Sequence, residues 1–83
     1  MSHTLVGILA RVDEEANPGL RTELDGMSGV STFEVGEEGK LGILLRAEST
    51  DQAHHRLRHD IEGANGILAA WPVYTHFGEE FAV

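Results

Sequence analysis

The 83-residue chain has no cysteine and only one lysine, Lys40. Without cysteine it can form neither a disulfide framework nor a thiolate metal site, and cysteine redox chemistry is excluded. Nucleic-acid binding depends on lysine and arginine side chains that neutralise phosphates, whereas here 6 basic residues stand against 14 acidic ones, for a net charge of −8. The composition therefore argues against a nucleic-acid partner and favours a basic one, although the same charge also serves solubility alone.

Long apolar runs are also absent. No run reaches the roughly 18–20 residues of a membrane-spanning helix, and residues 1–4 do not begin a basic segment followed by an apolar one, as in a secretory signal. We therefore expect no membrane insertion and a cytoplasmic location. A chain of 83 residues is too short for two hydrophobic cores, which predicts a single domain, residues 1–83, with a short acidic C-terminal tail from about residue 77.

Apolar residues alternate in segments 4–12, 30–35 and 40–48, which is the pattern of β-strands, and the segment 66–76 is apolar on both alternating sides. Apolar residues spaced three and four apart predict one helix after the first strand and another after the third. The first helix would have Asn17 as its N-cap and Pro18 at its first position. The second would open with a capping box of Ser49 and Gln52.

Two strand–helix–strand units joined by a glycine-rich hairpin at residues 36–39 predict a ferredoxin-like α+β sandwich. We expect a four-stranded antiparallel sheet in the order 4-1-3-2, with two helices on one face and the other face open. The alternating apolar residues of the first and third strands would form the core, namely Val6, Ile8, Ala10, Val12, Leu41, Ile43, Leu45 and Ala47.

The open face of this predicted sheet carries a glycine on each central strand, Gly7 and Gly42. Glycine in a strand interior often marks a place where another backbone comes close, so a shallow apolar trough is predicted, flanked by Leu5, Leu9 and Leu44. The alternative is that both glycines relieve twist or crowding in the sheet. The last strand would add either Leu68, Ala70 and Tyr74 or Trp71 and Val73, and its alternation allows both.

The sequence contains no recognisable catalytic motif. Serine, histidine and aspartate are present, but no nucleophile lies in a known elbow, and the acidic turn at residues 36–39 would repel phosphate. His55 and His59 have the i, i+4 spacing of a metal-binding pair but point away from the apolar stripe of their helix, which favours a solvated face. We expect no enzyme activity, no cofactor and no metal.

Several segments together resemble the NapD family over about residues 4–80. They are the strand from Gly39-Lys40-Leu41 to Ala47-Glu48, the capped helix after it, Gly66-Ile67-Leu68-Ala69-Ala70 with Val73-Tyr74, and the acidic tail. The end of the first helix, from Leu24 to Gly29-Val30, is also similar. Trp71-Pro72 departs from the pattern, and a proline there is tolerated because the last strand lies at an edge of the predicted sheet.

The resemblance implies a ferredoxin-like fold and a small cytoplasmic chaperone. Members of this family bind the twin-arginine signal peptide of NapA, the catalytic subunit of the periplasmic nitrate reductase. Binding holds back export through the Tat pathway until the molybdenum cofactor has been inserted. The peptide lies as a helix against the sheet, and the family has no cofactor of its own.

With this resemblance, the predicted trough becomes a predicted peptide site. Leu5, Leu9, Leu44 and Tyr74 would hold the apolar face of the signal helix, and Gly7 and Gly42 would allow it to approach closely. Glu34, Glu79 and Glu80 would form charge-assisted hydrogen bonds with the two arginines. We expect a monomer or weak dimer. The alternatives are a small-molecule-sensing regulatory domain, a self-associating domain that uses the open face, and a metal carrier that uses His55 and His59.

Overall fold

The computed structural model describes residues 3–78 and contains a four-stranded antiparallel sheet with two helices. The strands are β1 (His3–Val12), β2 (Val30–Phe33), β3 (Lys40–Ala47) and β4 (Ile67–Gly78). The helices are α1 (Leu20–Asp25) and α2 (Thr50–Arg56), and α2 continues into one π turn (Leu57–Ile61). The strand order is β2-β3-β1-β4, which confirms the predicted ferredoxin-like fold and its topology.

The core lies between the helices and one face of the sheet. All eight residues predicted to face inward from β1 and β3 are buried, and Ile8, Ile43 and Leu45 are fully so. The helices contribute Leu20 and Leu24 from α1, and Ala53, Leu57, Ile61 and Ala64 from α2 and the turns that follow it. Burying one such large aliphatic side chain stabilises the fold by about 1.5–3 kcal/mol, so this layer accounts for much of the driving force.

The start of α1 differs from the sequence prediction. The helix begins at Leu20, and its N-cap residue, Gly19, provides no side-chain hydrogen bond. Pro18 and Gly19 instead form a turn in which the Leu20 amide donates to the Asn17 carbonyl at 3.0 Å. The Asn17 side-chain amide donates to the Asn65 carbonyl at 2.8 Å, and it thereby ties this loop to the start of β4. Asn17 thus makes a long-range contact that local spacing does not reveal.

Helix α2 begins as predicted, with a reciprocal capping box. Ser49 Oγ accepts from the Gln52 amide at 3.0 Å, and Gln52 Oε1 accepts from the Glu48 amide at 2.7 Å. At its other end, the Glu62 amide donates to the Leu57 carbonyl at 2.9 Å, which is the i→i−5 bond of a π turn. Arg56 forms an ion pair with Asp60 at 2.8 Å and also donates to the Ser28 carbonyl, so it connects α2 to the loop before β2.

Replacing the cap, Ser49→Ala, should lower the free energy of unfolding by about 1 kcal/mol, because the first turn of α2 would lose its side-chain acceptor. Urea denaturation followed by circular dichroism measures this change. Ser49→Asp is the matched control, since a carboxylate can accept the same bond and should preserve stability. Equal midpoints for all three proteins would mean that this cap contributes nothing.

Candidate functional site

The outward side of β1 and β3, with the positions paired to it on β2 and β4, is here called the open face. Among residues 3–78, no helix covers it. Because directly opposed residues in an antiparallel sheet share a face, the register defines its rows. The first row contains Phe33, Gly42, Leu9 and Trp71, and the second contains Ser31, Leu44, Gly7 and position 74.

The two glycines lie diagonally across β1 and β3, because Gly7 pairs with Leu44 and Gly42 pairs with Leu9. The leucines occupy the opposite diagonal, and both are half-buried. The centre of the open face is therefore a checkerboard of glycine and leucine.

The space above Gly42 is occupied by the ring of Phe33, the residue directly opposite on β2. A Cβ atom built at position 42 would lie 2.5 Å from Cζ and 2.6 Å from Cδ2 of this ring. Real Cβ atoms do not approach other atoms so closely, so only glycine leaves room for the ring in this position. Sequence reasoning missed Phe33, although an aromatic residue facing a strand glycine is a recognised sheet-stabilising pair.

Two register shifts in the pairing of β1 with β4 decide which residues of β4 accompany this face. They fall between Gly7 and Ile8 and between Arg11 and Val12. Trp71 lies opposite Leu9, while position 74 lies opposite Gly7, so both have partners on the open side of β1. Strict alternation would separate positions 71 and 74. The set of Leu68, Ala70 and Tyr74 is therefore divided, because position 74 pairs with Gly7 while Ala70 pairs with Ala10 and packs against the core. In the other set, Trp71 pairs with Leu9 and Val73 lies exposed at the register shift.

A groove of about 600 Å³ runs along the β2 side of the open face. It brings together two of the predicted site residues, Leu5 and Leu44, and its apolar wall is completed by Met27 from the α1–β2 loop. Its charged lining residues are Asp25 and Arg46. Asp25 accepts hydrogen bonds from the amide and hydroxyl of Thr32 at 2.8 Å and 3.0 Å, so its carboxylate is already engaged in holding β2.

Of the three predicted acidic residues, the structure describes only Glu34. Glu34 follows β2 and forms an ion pair with Arg21 of α1 at 3.1 Å. Glu79 and Glu80 lie outside the described residues, and Gly78, just before them, pairs with His3 at the end of the sheet remote from the β2–β3 hairpin. Glu34 and the end of β4 are therefore at opposite ends of the molecule.

The charged outward positions of the two central strands are all basic. Arg11 and Lys40 pair at the hairpin end, and Arg46 lies at the other end of β3. Lys40 also forms an ion pair with Glu37 at 2.9 Å. The nearby carboxylates belong to loops, where Glu14, Glu34, Glu37 and Glu38 line a hollow of about 370 Å³ beside the hairpin. Apart from Asp25 in the groove, the described carboxylates near the open face thus cluster at that end.

The histidines of α2 and the π turn lie on an exposed surface, far from the open face. The ring centroids of His55 and His59 are 4.2 Å apart. Among the side chains that the structure describes, those of residues 4–73, no three histidine, aspartate or glutamate residues are grouped so that they could hold a metal ion. The helices of this part of the chain are all too short and too polar to cross a membrane.

This chain is similar to known proteins in its three-dimensional structure. The sequence matches no family model and no curated protein. The solution structure of the E. coli Tat proofreading chaperone protein NapD is similar, with a TM-score of 0.73, 21% sequence identity, and coverage of 95% of this chain and 82% of that chain. The crystal structure of a hypothetical protein from Pyrococcus horikoshii has a TM-score of 0.66 at 15% identity, covering 93% and 88%. The chain therefore has the fold that NapD has.

The pairing of Phe33 with Gly42 can be tested by a double-mutant cycle. Alanine is favoured over glycine inside a strand by roughly 0.5–1 kcal/mol, so Gly42→Ala should stabilise a Phe33→Ala protein by that amount. In the native chain the new methyl group would displace the ring of Phe33 from above position 42. The loss of that packing should offset the stability gained from alanine. Urea denaturation of all four proteins measures the coupling. Additivity to within about 0.3 kcal/mol would show that the ring and the glycine are independent.

Proposed function

We propose that this protein is a cytoplasmic chaperone that binds the twin-arginine signal peptide of the periplasmic nitrate reductase catalytic subunit. By covering the signal it would hold back Tat export until the molybdenum cofactor has been inserted. The observation that carries the proposal is an uncovered sheet face bearing apolar side chains, in a chain that shares 95% of its length with the fold of the Tat proofreading chaperone NapD. Isolated surface leucines are ordinary, whereas a contiguous apolar face usually binds a partner.

The apolar part of the signal peptide would bind as a helix along the groove beside Leu5 and Leu44. A helix that lays one apolar side into such a groove gains about 25 cal/mol for each Å² of apolar surface removed from water. Leu9 would extend this contact toward the hairpin end. Gly42 does not leave this part of the face open to the helix, because the ring of Phe33 already lies above it.

The two arginines of the peptide require carboxylates, and we assign Glu34, Glu79 and Glu80 as candidates. Glu34 is available at little cost, because its ion pair with Arg21 is exposed, with side-chain accessibilities of 43% for Arg21 and 81% for Glu34. Such surface pairs contribute about 0–1 kcal/mol, so exchanging Arg21 for a peptide guanidinium is energetically easy. A bidentate arginine–carboxylate contact would then favour the peptide.

Isothermal titration calorimetry with a twin-arginine signal peptide tests the proposal, beside a peptide in which both arginines are glutamine. The native chain should bind the first peptide more tightly than the second. Leu44→Glu should weaken binding of the first peptide by more than about tenfold, because it places a charge in the apolar contact. Thr22→Glu is the matched control, since it adds the same charge on the exposed side of α1.

Two other results would contradict the proposal, the first in whole and the second in its assignment of the carboxylates. If neither peptide binds and sedimentation shows a dimer that Leu44→Glu dissociates, the open face is a self-association surface. If both peptides bind equally, the apolar contact stands and the role of the carboxylates is removed.

A further inference from the structure

We propose that Phe33 is a further peptide-contacting residue of the open face, and that Gly42 is there to seat its ring. The inference rests on the proposed function and assigns a contact to a residue that neither the sequence pattern nor the fold comparison singles out. The ring forms an apolar platform at the β2 edge of the face, and an apolar side chain of the bound peptide packs on it.

The first step is the position of the ring. Phe33 and Gly42 are directly opposed in the pairing of β2 with β3, and ring atoms occupy the place of the missing Cβ. The ring therefore lies across the backbone of β3, on the same side of the sheet as Leu9 and Leu44. It is held in the open face by the strand opposite and does not extend freely into solvent.

The second step is its exposure. Phe33 remains 46% exposed even though part of its ring is covered by Gly42. Leu68 and Val73 are more exposed, but each lies at a register shift of β4, where the backbone is irregular. Phe33 pairs regularly with Gly42 at the end of the edge strand β2, and no described helix covers this side of the sheet, so the ring stays exposed without a distortion of the strand.

The third step is the relation of the ring to the groove. Ser31 and Leu44, which line the groove, are each two residues from Phe33 and Gly42 along their strands. That spacing is about 7 Å, whereas an α-helix with its side chains is about 10–12 Å across. A helix centred over Leu44 extends about 5–6 Å toward the ring, and the remaining gap of about 1–2 Å is shorter than a van der Waals contact, so its side chains touch the ring of Phe33. The ring therefore limits how far the helix can lie toward the hairpin.

The ring is suited to an apolar side chain because it is flat and already restrained. A restrained aromatic ring loses little conformational freedom on binding, which is why aromatic residues dominate the energetics of many interfaces. Glu34, the residue after Phe33, forms an ion pair with Arg21 of α1 and is the assigned partner of a peptide arginine. The ring itself carries no charge, so it takes part of the apolar stretch of the peptide.

Calorimetric titration of variants with the twin-arginine peptide and its glutamine counterpart tests this assignment. Phe33→Ala should raise the dissociation constant for the twin-arginine peptide about tenfold, and Phe33→Leu, which keeps apolar bulk, by less than about threefold. For the glutamine peptide, Phe33→Ala should cause the same fold-change, because an apolar contact does not depend on the arginines. Val35→Ala is the matched control: it truncates a nearby apolar residue that lines the hairpin hollow, and it should leave affinity unchanged.

Gly42→Ala provides an independent arm, because it displaces the ring without altering it. It should weaken binding in the native background and cause no further loss in a Phe33→Ala background. Trp71, the single tryptophan of the chain, lies in the same row as Phe33, so its fluorescence reports occupation of that row in every variant.

The outcomes separate the two proposals. If the native chain binds and Phe33→Ala binds equally well, this inference is overturned while the proposed function stands. If the effect of Phe33→Ala vanishes with the glutamine peptide, the ring contacts an arginine and the apolar assignment is overturned. If the native chain binds neither peptide, both proposals fail.

Discussion

The antiparallel pairing of β1 with β3 is the constraint on which the rest of the structure depends. It runs without a shift from Thr4 opposite Ala47 to Arg11 opposite Lys40. Because side chains alternate with a period of two, this single register places Ile8 and Ile43 together in the core and puts glycines and leucines on the other side. A slip of one residue in either strand would turn its inward residues outward. The packing of both helices and the composition of the open face therefore follow from the same ladder.

The pair of Phe33 and Gly42 shows how an exposed aromatic residue is held in place on the open face. A glycine in a central strand weakens the sheet, and an exposed aromatic residue on an edge strand leaves apolar surface in water. Placed opposite each other, the two compensate in part, because the ring covers the backbone that the glycine leaves bare. The rest of the ring remains exposed, and under our proposal it is the part that a bound peptide would cover.

The positions of the charged side chains on this protein differ from what its net charge alone suggests. The net charge of the chain is −8, but the charged outward positions of β1 and β3 are Arg11, Lys40 and Arg46. Asp25 lies in the groove, and four further carboxylates line the hollow at the hairpin end, where Glu34 pairs with Arg21. Under the proposed function, carboxylates would attract a cationic peptide and pair with its arginines, and apolar strand residues would bind its apolar part.

The amino-acid sequence by itself determined the order of the elements, the core residues of β1 and β3, and the capping box of Ser49 and Gln52, because each depends on neighbours a few positions away. It also indicated Leu5, Leu9 and Leu44 as outward residues. The tertiary structure alone decided that Asn17 bonds to Asn65, that Phe33 fills the space above Gly42, and that Trp71 and position 74 both pair with open-face positions of β1. Each of these joins residues far apart in the chain. Local periodicity carries no information about cross-strand register or about bulges, and these are what decide which side chains meet.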